Sequence, residues 1–345
     1  MAWWKRAFGR DRRAPDDADA ALRGALLHVL DREYDEAERL LEAACHLDSS
    51  GVEPYLALAR LYRTRGEIGR AIRVHQNLLL RKDLAPEQTV TTLADLAADF
   101  RRGGFLQRSI AAYEEVLSHD ANHRDALAAL VWLCSEVRDH PRAIEMARRL
   151  AKVDRDAAQR VPDEATLLIE SAEAALAQGR LDEARRAVKR ALRRSPRSVK
   201  AWIVLGDIES ERGKARAARS AWGKVPGLDR RAAAAIYPRL ESSYAAAGHA
   251  AEFEALVRKL LDLQPSDGHA RLALARALAV RGEIEEALGE LNRLLEADAN
   301  DLAARAALGM ILLSEGRESE AAKSYGELLS VLEGLGMLRR PESLR

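Results

Sequence analysis

The sequence predicts an all-α solenoid of about nine helix-turn-helix repeats. Three observations carry that prediction. A small or apolar residue recurs at Ala37, Ala71, Ser109, Ala143, Ala184, Ala218, Phe253, Ala287 and Ala321, with a dominant spacing of 34 residues. Five residues before each of these comes a turn residue: Gly66, Gly104, Gly179, Gly213, Gly248, Gly282 and Gly316, with Arg32 and Arg138 in repeats one and four. The composition is 48% hydrophobic but only 5% aromatic, which suits helices packed through small side chains.

Residues 1–17 place Trp3, Trp4 and Phe8 on one face if helical, flanked by Lys5, Arg6, Arg10, Arg12 and Arg13. They read as a basic, aromatic segment suited to peripheral contact with a membrane, or as a terminus that caps repeat one. The array is expected over 18–335. Repeat two, Val52 to Lys82, is its best-formed copy: Leu58, Ala59, Leu61 and Tyr62 stripe the first helix, and Ala71, Ile72, Val74, Leu78 and Leu79 the second. Asp83–Thr89 and Arg155–Asp163 lengthen two repeats, each with a proline, and read as loops or extended helix ends. The first-helix motif returns as Trp202, Leu205 and Gly206 in repeat six and as Leu308, Gly309 and Leu312 in repeat nine. Pro196 and Pro265 punctuate repeat ends, and 336–345 forms a short polar tail.

Tyr55, Leu58, Ala59, Tyr62, Gly66 and Ala71 fall at the offsets of a tetratricopeptide repeat, and the array resembles that family. The resemblance implies a right-handed superhelix, with first helices on a concave face and second helices on a convex one. A narrower resemblance rests on Arg65–Leu79 (RGEIGRAIRVHQNLL), Leu84–Gln88 (LAPEQ) and Leu93–Leu117. These segments look like the second and third repeats of the lipopolysaccharide assembly protein B family. That family begins with a transmembrane helix and ends with a rubredoxin-like metal knuckle of two CxxC pairs, and this chain shows neither. In the family, the repeats couple the protease that degrades the deacetylase committing lipid A synthesis to the lipopolysaccharide machinery. What the resemblance implies here is an adaptor near the cytoplasmic face of the inner membrane, with envelope biogenesis as its setting.

Charge and cysteine content narrow the function classes. Fifty-five Lys and Arg against 54 Asp and Glu leave a formal charge of +1, so a generally nucleic-acid-binding chain is not expected. Cys45 and Cys134 form no CxxC pair, which fits a reducing compartment without a cysteine metal site. No nucleophile–base pair, phosphate loop or carboxylate dyad stands in a catalytic context, so neither enzymatic activity nor a cofactor is expected. His75, where the resembled repeats place a packing Tyr or Phe, reads as a core histidine. His119 and His123, four apart, read as repeat-junction residues rather than metal ligands.

Two surfaces remain as candidates. The concave face is expected to carry Arg60, Arg63, Arg101, Trp132, Asp207 and Arg276, with the arginines able to clamp a partner's carboxylates and Trp132 as an apolar anchor. The basic stripe Arg185, Arg186, Lys189, Arg190, Arg193, Arg194, Arg197 and Lys200 contains no acid. It suits anionic headgroups, RNA or an acidic partner, and its lack of aromatics argues against base stacking. The function expected is a scaffold holding a protein or peptide in its groove. The alternatives are a soluble adaptor or co-chaperone of an unrelated complex, and an RNA or anionic-surface binder acting through the stripe.

Overall fold

The computed structural model describes residues 17–337. Trp3, Trp4, Phe8 and all of the C-terminal tail beyond Met337 lie outside the described residues. Among the described residues every regular element is a helix, and the chain divides into two compact units, residues 1–167 and 168–345.

The first unit runs through α1 (Ala18–Leu30), α2 (Tyr34–Leu47), α3 (Glu53–Arg65), α4 (Ile68–Leu79), α5 (Pro86–Arg102), α6 (Leu106–His119), α7 (Arg124–Glu136), α8 (His140–Val153) and the short α9 (Arg155–Ala158). The division falls within α10 (Glu164–Ala177). The second unit continues with α11 (Leu181–Arg194), α12 (Val199–Glu211), α13 (Ala215–Trp222), α14 (Arg230–Ala233), α15 (Tyr237–Ala246), α16 (Ala250–Leu263), α17 (Gly268–Val280), α18 (Ile284–Ala297), α19 (Leu302–Ser314) and α20 (Glu318–Gly334). Apart from α9 and α14, these helices pair into nine consecutive hairpins among the described residues, as the spacing predicts.

The hairpin turns follow from backbone sterics. All nine turn residues have positive φ, from 60° at Arg138 to 82° at Gly66 and Gly282. A Cβ added at Gly66 meets nothing within 4 Å, so the glycine answers the left-handed backbone rather than a crowded site. Arg32 and Arg138 adopt the same conformation with a side chain, at φ 61° and 60°. Seven of the nine residues that recur at the 34-residue spacing, including Ala37, Ala71 and Ser109, are fully buried, and Phe253 and Ala321 expose 2% or less. Small side chains there allow close helix approach, and the Ser109 hydroxyl satisfies itself by donating to the Ala97 carbonyl at 2.7 Å.

Both insertions are helical in part. Pro86 opens the 17-residue α5, where its missing N–H costs nothing, and the Asp154 carboxylate caps α9 through Asp156 and Ala157 N–H. One irregularity has no counterpart in the spacing. In repeat six, α13 is only eight residues long, and α15, the first helix of repeat seven, has ten. Gly223, Pro226 and Gly227 end α13, while the Trp222 ring fills the space beside Gly206.

Arginines next to the turns tie successive hairpins together. Arg65 reaches back to Asp35 and Glu38 of α2 at 2.9 and 2.7 Å. Arg212 pairs in the same way with Asp182, and Arg281 with Glu254. Partly exposed pairs of this kind contribute about 0.2–1 kcal/mol each, enough to favour one register between repeats.

Candidate functional site

In the first unit, Arg60, Ala98 and Trp132 each stand six residues before the turn residues Gly66, Gly104 and Arg138. They therefore occupy one equivalent slot on α3, α5 and α7, and Arg63 and Arg101 share the slot three residues before the turn. In the second unit, Asp207 and Arg276 fill the six-before slot relative to Gly213 and Gly282. The sequence-predicted face residues thus lie in repeat-equivalent rows.

Arg60 and Arg63 are committed within the protein. Arg60 Nη2 lies 2.6 Å from Asp95 Oδ2, and Arg63 Nη2 lies 2.7 Å from Asp95 Oδ1. Burial raises the Asp95 carboxyl, but the hydrogen bonds from Arg60 and Arg63 outweigh it and hold the group below its ordinary value. Arg63 Nη1 also stands 3.3 Å from Asp99 Oδ1. Asp99 Oδ2 in turn lies 2.7 Å from Nδ1 of His75, with both side chains fully buried. His75 is the core histidine expected, and its Nε2 has no hydrogen-bond partner among the described residues.

Arg101 and Arg102, at the end of α5, are exposed and make no ion pair among the described residues. With Arg63, Thr64, Ala98 and Tyr113 they line an open groove of about 630 Å³. Burial raises the Tyr113 hydroxyl's pKa, against the opposing field of Arg101 and Arg63. In the next repeat Trp132 is 45% exposed, an unusual position for so large an apolar ring. Two unpaired guanidinium groups and a nearby exposed indole offer charge-assisted bonds and an anchor to an acidic, partly apolar segment.

In the second unit, Asp207 accepts from Trp222 Nε1 at 3.0 Å and from Arg239 Nη1 at 2.6 Å. A groove of about 630 Å³ adjoins them, lined by Ser210, Trp222, Pro238, Arg239 and small side chains of α15. Arg276 acts on Glu241, whose carboxyl burial keeps above its ordinary value despite that cation.

The basic stripe divides. Arg185 pairs with the buried Glu209 at 2.5 Å, and Lys200 with Glu173 at 2.9 Å. Arg186, Lys189, Arg193 and Arg197 are exposed and make no ion pair among the described residues. Of the junction histidines, His123 caps α7, its Nδ1 accepting from Ala126 N–H at 3.2 Å. No group of three or more metal-ligating side chains occurs among the described residues.

Sequence reasoning missed Arg102, Asp95 and Trp222. The Arg101–Arg102 doublet before the Gly103–Gly104 turn was a readable signal for the first. Nothing local marks Asp95 as the partner of Arg60, 35 residues away.

Comparison with known proteins agrees with this architecture. Residues 55–88, 135–185, 169–225 and 244–311 match the tetratricopeptide repeat family, together more than half of the chain. Lipopolysaccharide assembly protein B of Escherichia coli K12 is 27% identical over 259 residues, 75% of this chain and 66% of that protein. The chain thus spans just under two thirds of that relative's length. The protein of the same name from Haemophilus influenzae is 33% identical over 104 residues, 30% of this chain and 26% of that one. A solved tetratricopeptide repeat protein from Parabacteroides merdae aligns at 16% identity and a TM-score of 0.39, covering 76% of this chain and 98% of its own. No helix among the described residues is long and apolar enough to cross a membrane. Nine hairpins, nine left-handed turns and these matched segments converge: the chain belongs to the tetratricopeptide repeat family.

Proposed function

We propose that this chain is a non-enzymatic adaptor that holds a protein partner on the first-helix face of its repeats, in lipopolysaccharide or envelope biogenesis at the cytoplasmic face of the inner membrane. The observation that carries the binding face is the groove with Arg101 and Arg102, exposed and without acidic partners among the described residues, one repeat from the exposed Trp132. Unpaired arginines in a groove favour a partner segment with carboxylates, and the indole favours an apolar side chain within it. Support for the setting comes from similarity to lipopolysaccharide assembly protein B across 75% of this chain.

Within this reading, Arg60 and Arg63 shape the groove through Asp95, while Arg101, Arg102 and Trp132 touch the partner. Affinity purification of the full chain from cells, compared with an Arg101→Glu/Arg102→Glu variant, tests it. The expected result is recovery of envelope-biogenesis proteins with the unmodified chain and their loss with the variant. Recovery of none, or of the same set with both, overturns it.

A further inference from the structure

The chain's overall charge of +1 hides a strong local segregation. No acid occurs between Glu183 and Asp207, and none between Glu211 and Asp229. The acids at the start of α11 are already engaged, Asp182 by Arg212 and Glu183 by Arg180. Arg186, Lys189 and Arg193 recur at three- and four-residue spacing along the exposed side of α11, opposite its buried Ala184, Ala187, Val188 and Ala191, and Arg197 follows in the turn. On α13, the second helix of the next repeat, Arg216 is exposed, as is Lys224 just beyond it.

This surface lacks what a protein interface needs. Among the described residues no large apolar side chain is exposed between Val153 and Leu263, so an apolar anchor is missing. No aromatic residue lies on the exposed side of α11, so nucleobases have nothing to stack on. What remains is a row of long, exposed cations on one helix face, without ion pairs among the described residues, whose chemistry fits a diffuse anionic plane. We propose that the exposed face of α11, extended by Arg216 and Lys224, docks on the surface of an anionic phospholipid bilayer. The contact is electrostatic, requires no insertion and does not depend on which protein occupies the first-helix groove.

The test is co-sedimentation of the full chain with vesicles of phosphatidylcholine alone or mixed equally with phosphatidylglycerol, across a salt series. Binding is expected only to the anionic vesicles and should fall steeply with salt. Neutralising Arg186, Lys189 or Arg193 to Gln should weaken binding about fivefold per charge, and Arg186→Glu/Lys189→Glu/Arg193→Glu should abolish it. Circular dichroism checks that both sets of variants fold. Deleting residues 1–16 should leave the dependence on α11 intact. Unchanged binding after charge reversal overturns the proposal, as does binding that vanishes only with residues 1–16. So does a preference for duplex RNA over anionic vesicles. Loss of vesicle binding with protein partners retained separates this surface from the groove.

Discussion

Nδ1 of His75 lies 2.7 Å from Oδ2 of Asp99, joining α4 to α5 by a polar contact sealed from solvent. Asp99 Oδ1 faces Arg63 at 3.3 Å, and Arg63 reaches Asp95, which also holds Arg60. A line of polar contacts therefore runs from the core between two repeats to the exposed edge of the first-helix face.

Removing Asp99 leaves the buried His75 Nδ1 without a partner, while Arg63 keeps its pairing with Asp95. Asp99→Ala should destabilise the first unit by about 3 kcal/mol, measured by urea unfolding. The apolar pair His75→Phe with Asp99→Leu should cost less than Asp99→Leu alone, because it leaves no buried imidazole without a partner. A double variant worse than the single would show that the contact is not the source of the effect.

Asp95 carries a pH signature. Its folded carboxyl titrates below the ordinary value of 3.8, because the hydrogen bonds from Arg60 and Arg63 outweigh burial. Its stabilising contribution is therefore complete above that ordinary value and is lost as pH falls through the lower folded value. Asp95→Asn should flatten the acid limb of the stability curve, read as unfolding midpoint against pH.

The two arginine turns are the strained copies of the nine. Arg32→Gly and Arg138→Gly should each stabilise by about 1 kcal/mol, and Gly66→Ala should destabilise by a similar amount. Thermal unfolding of the three variants reads both signs. Opposite signs would contradict the backbone explanation, since no neighbour crowds Gly66.

Gly206 and Trp222 form a complementary pair, because a Cβ at position 206 would come within 2.2 Å of the indole ring. Gly206→Ala should cost roughly 1–3 kcal/mol, and Trp222→Leu should recover part of that loss in the double variant. The Trp222 indole also gives up its bond to Asp207 in the Leu variant, so recovery should be incomplete.

The two thiols should be inert in the folded chain. Burial pushes Cys45 and Cys134 up to about 11 from an ordinary 9.0. A thiol reagent at neutral pH should label them only as fast as the chain opens. Because the folded state binds these protons more tightly, their contribution to stability should fade as pH rises from about 9 to 11. Rapid stoichiometric labelling under native conditions would refute the burial.

Most of the fold was legible because packing in a repeat array is periodic. Ala71 and its eight equivalents mark the closest helix contacts, and Gly66 and its equivalents mark the turns, at fixed offsets. The short α13 and α15 were not legible, since the array keeps its spacing there while Gly223, Pro226 and the Trp222 ring redirect the chain. The face residues were legible as slots but not as partners. Arg60 and Arg101 look alike in sequence, yet Arg60 is bound by Asp95 and Arg101 is not, a difference set by a pairing 35 residues distant. The stripe was likewise legible as charge, whereas the pairing of its ends, Arg185 and Lys200, depends on Glu209 and Glu173 of neighbouring helices.

Site-specific photo-crosslinking in cells tests the adaptor role most directly. A photoreactive residue replaces Arg101 or Trp132 on the first-helix face or, as a control, the exposed Glu115 on the second-helix side. Adducts to an envelope-biogenesis protein from positions 101 and 132 but not 115 are the expected result. Adducts from 115 alone, or none from any of the three, would contradict a partner held on the first-helix face.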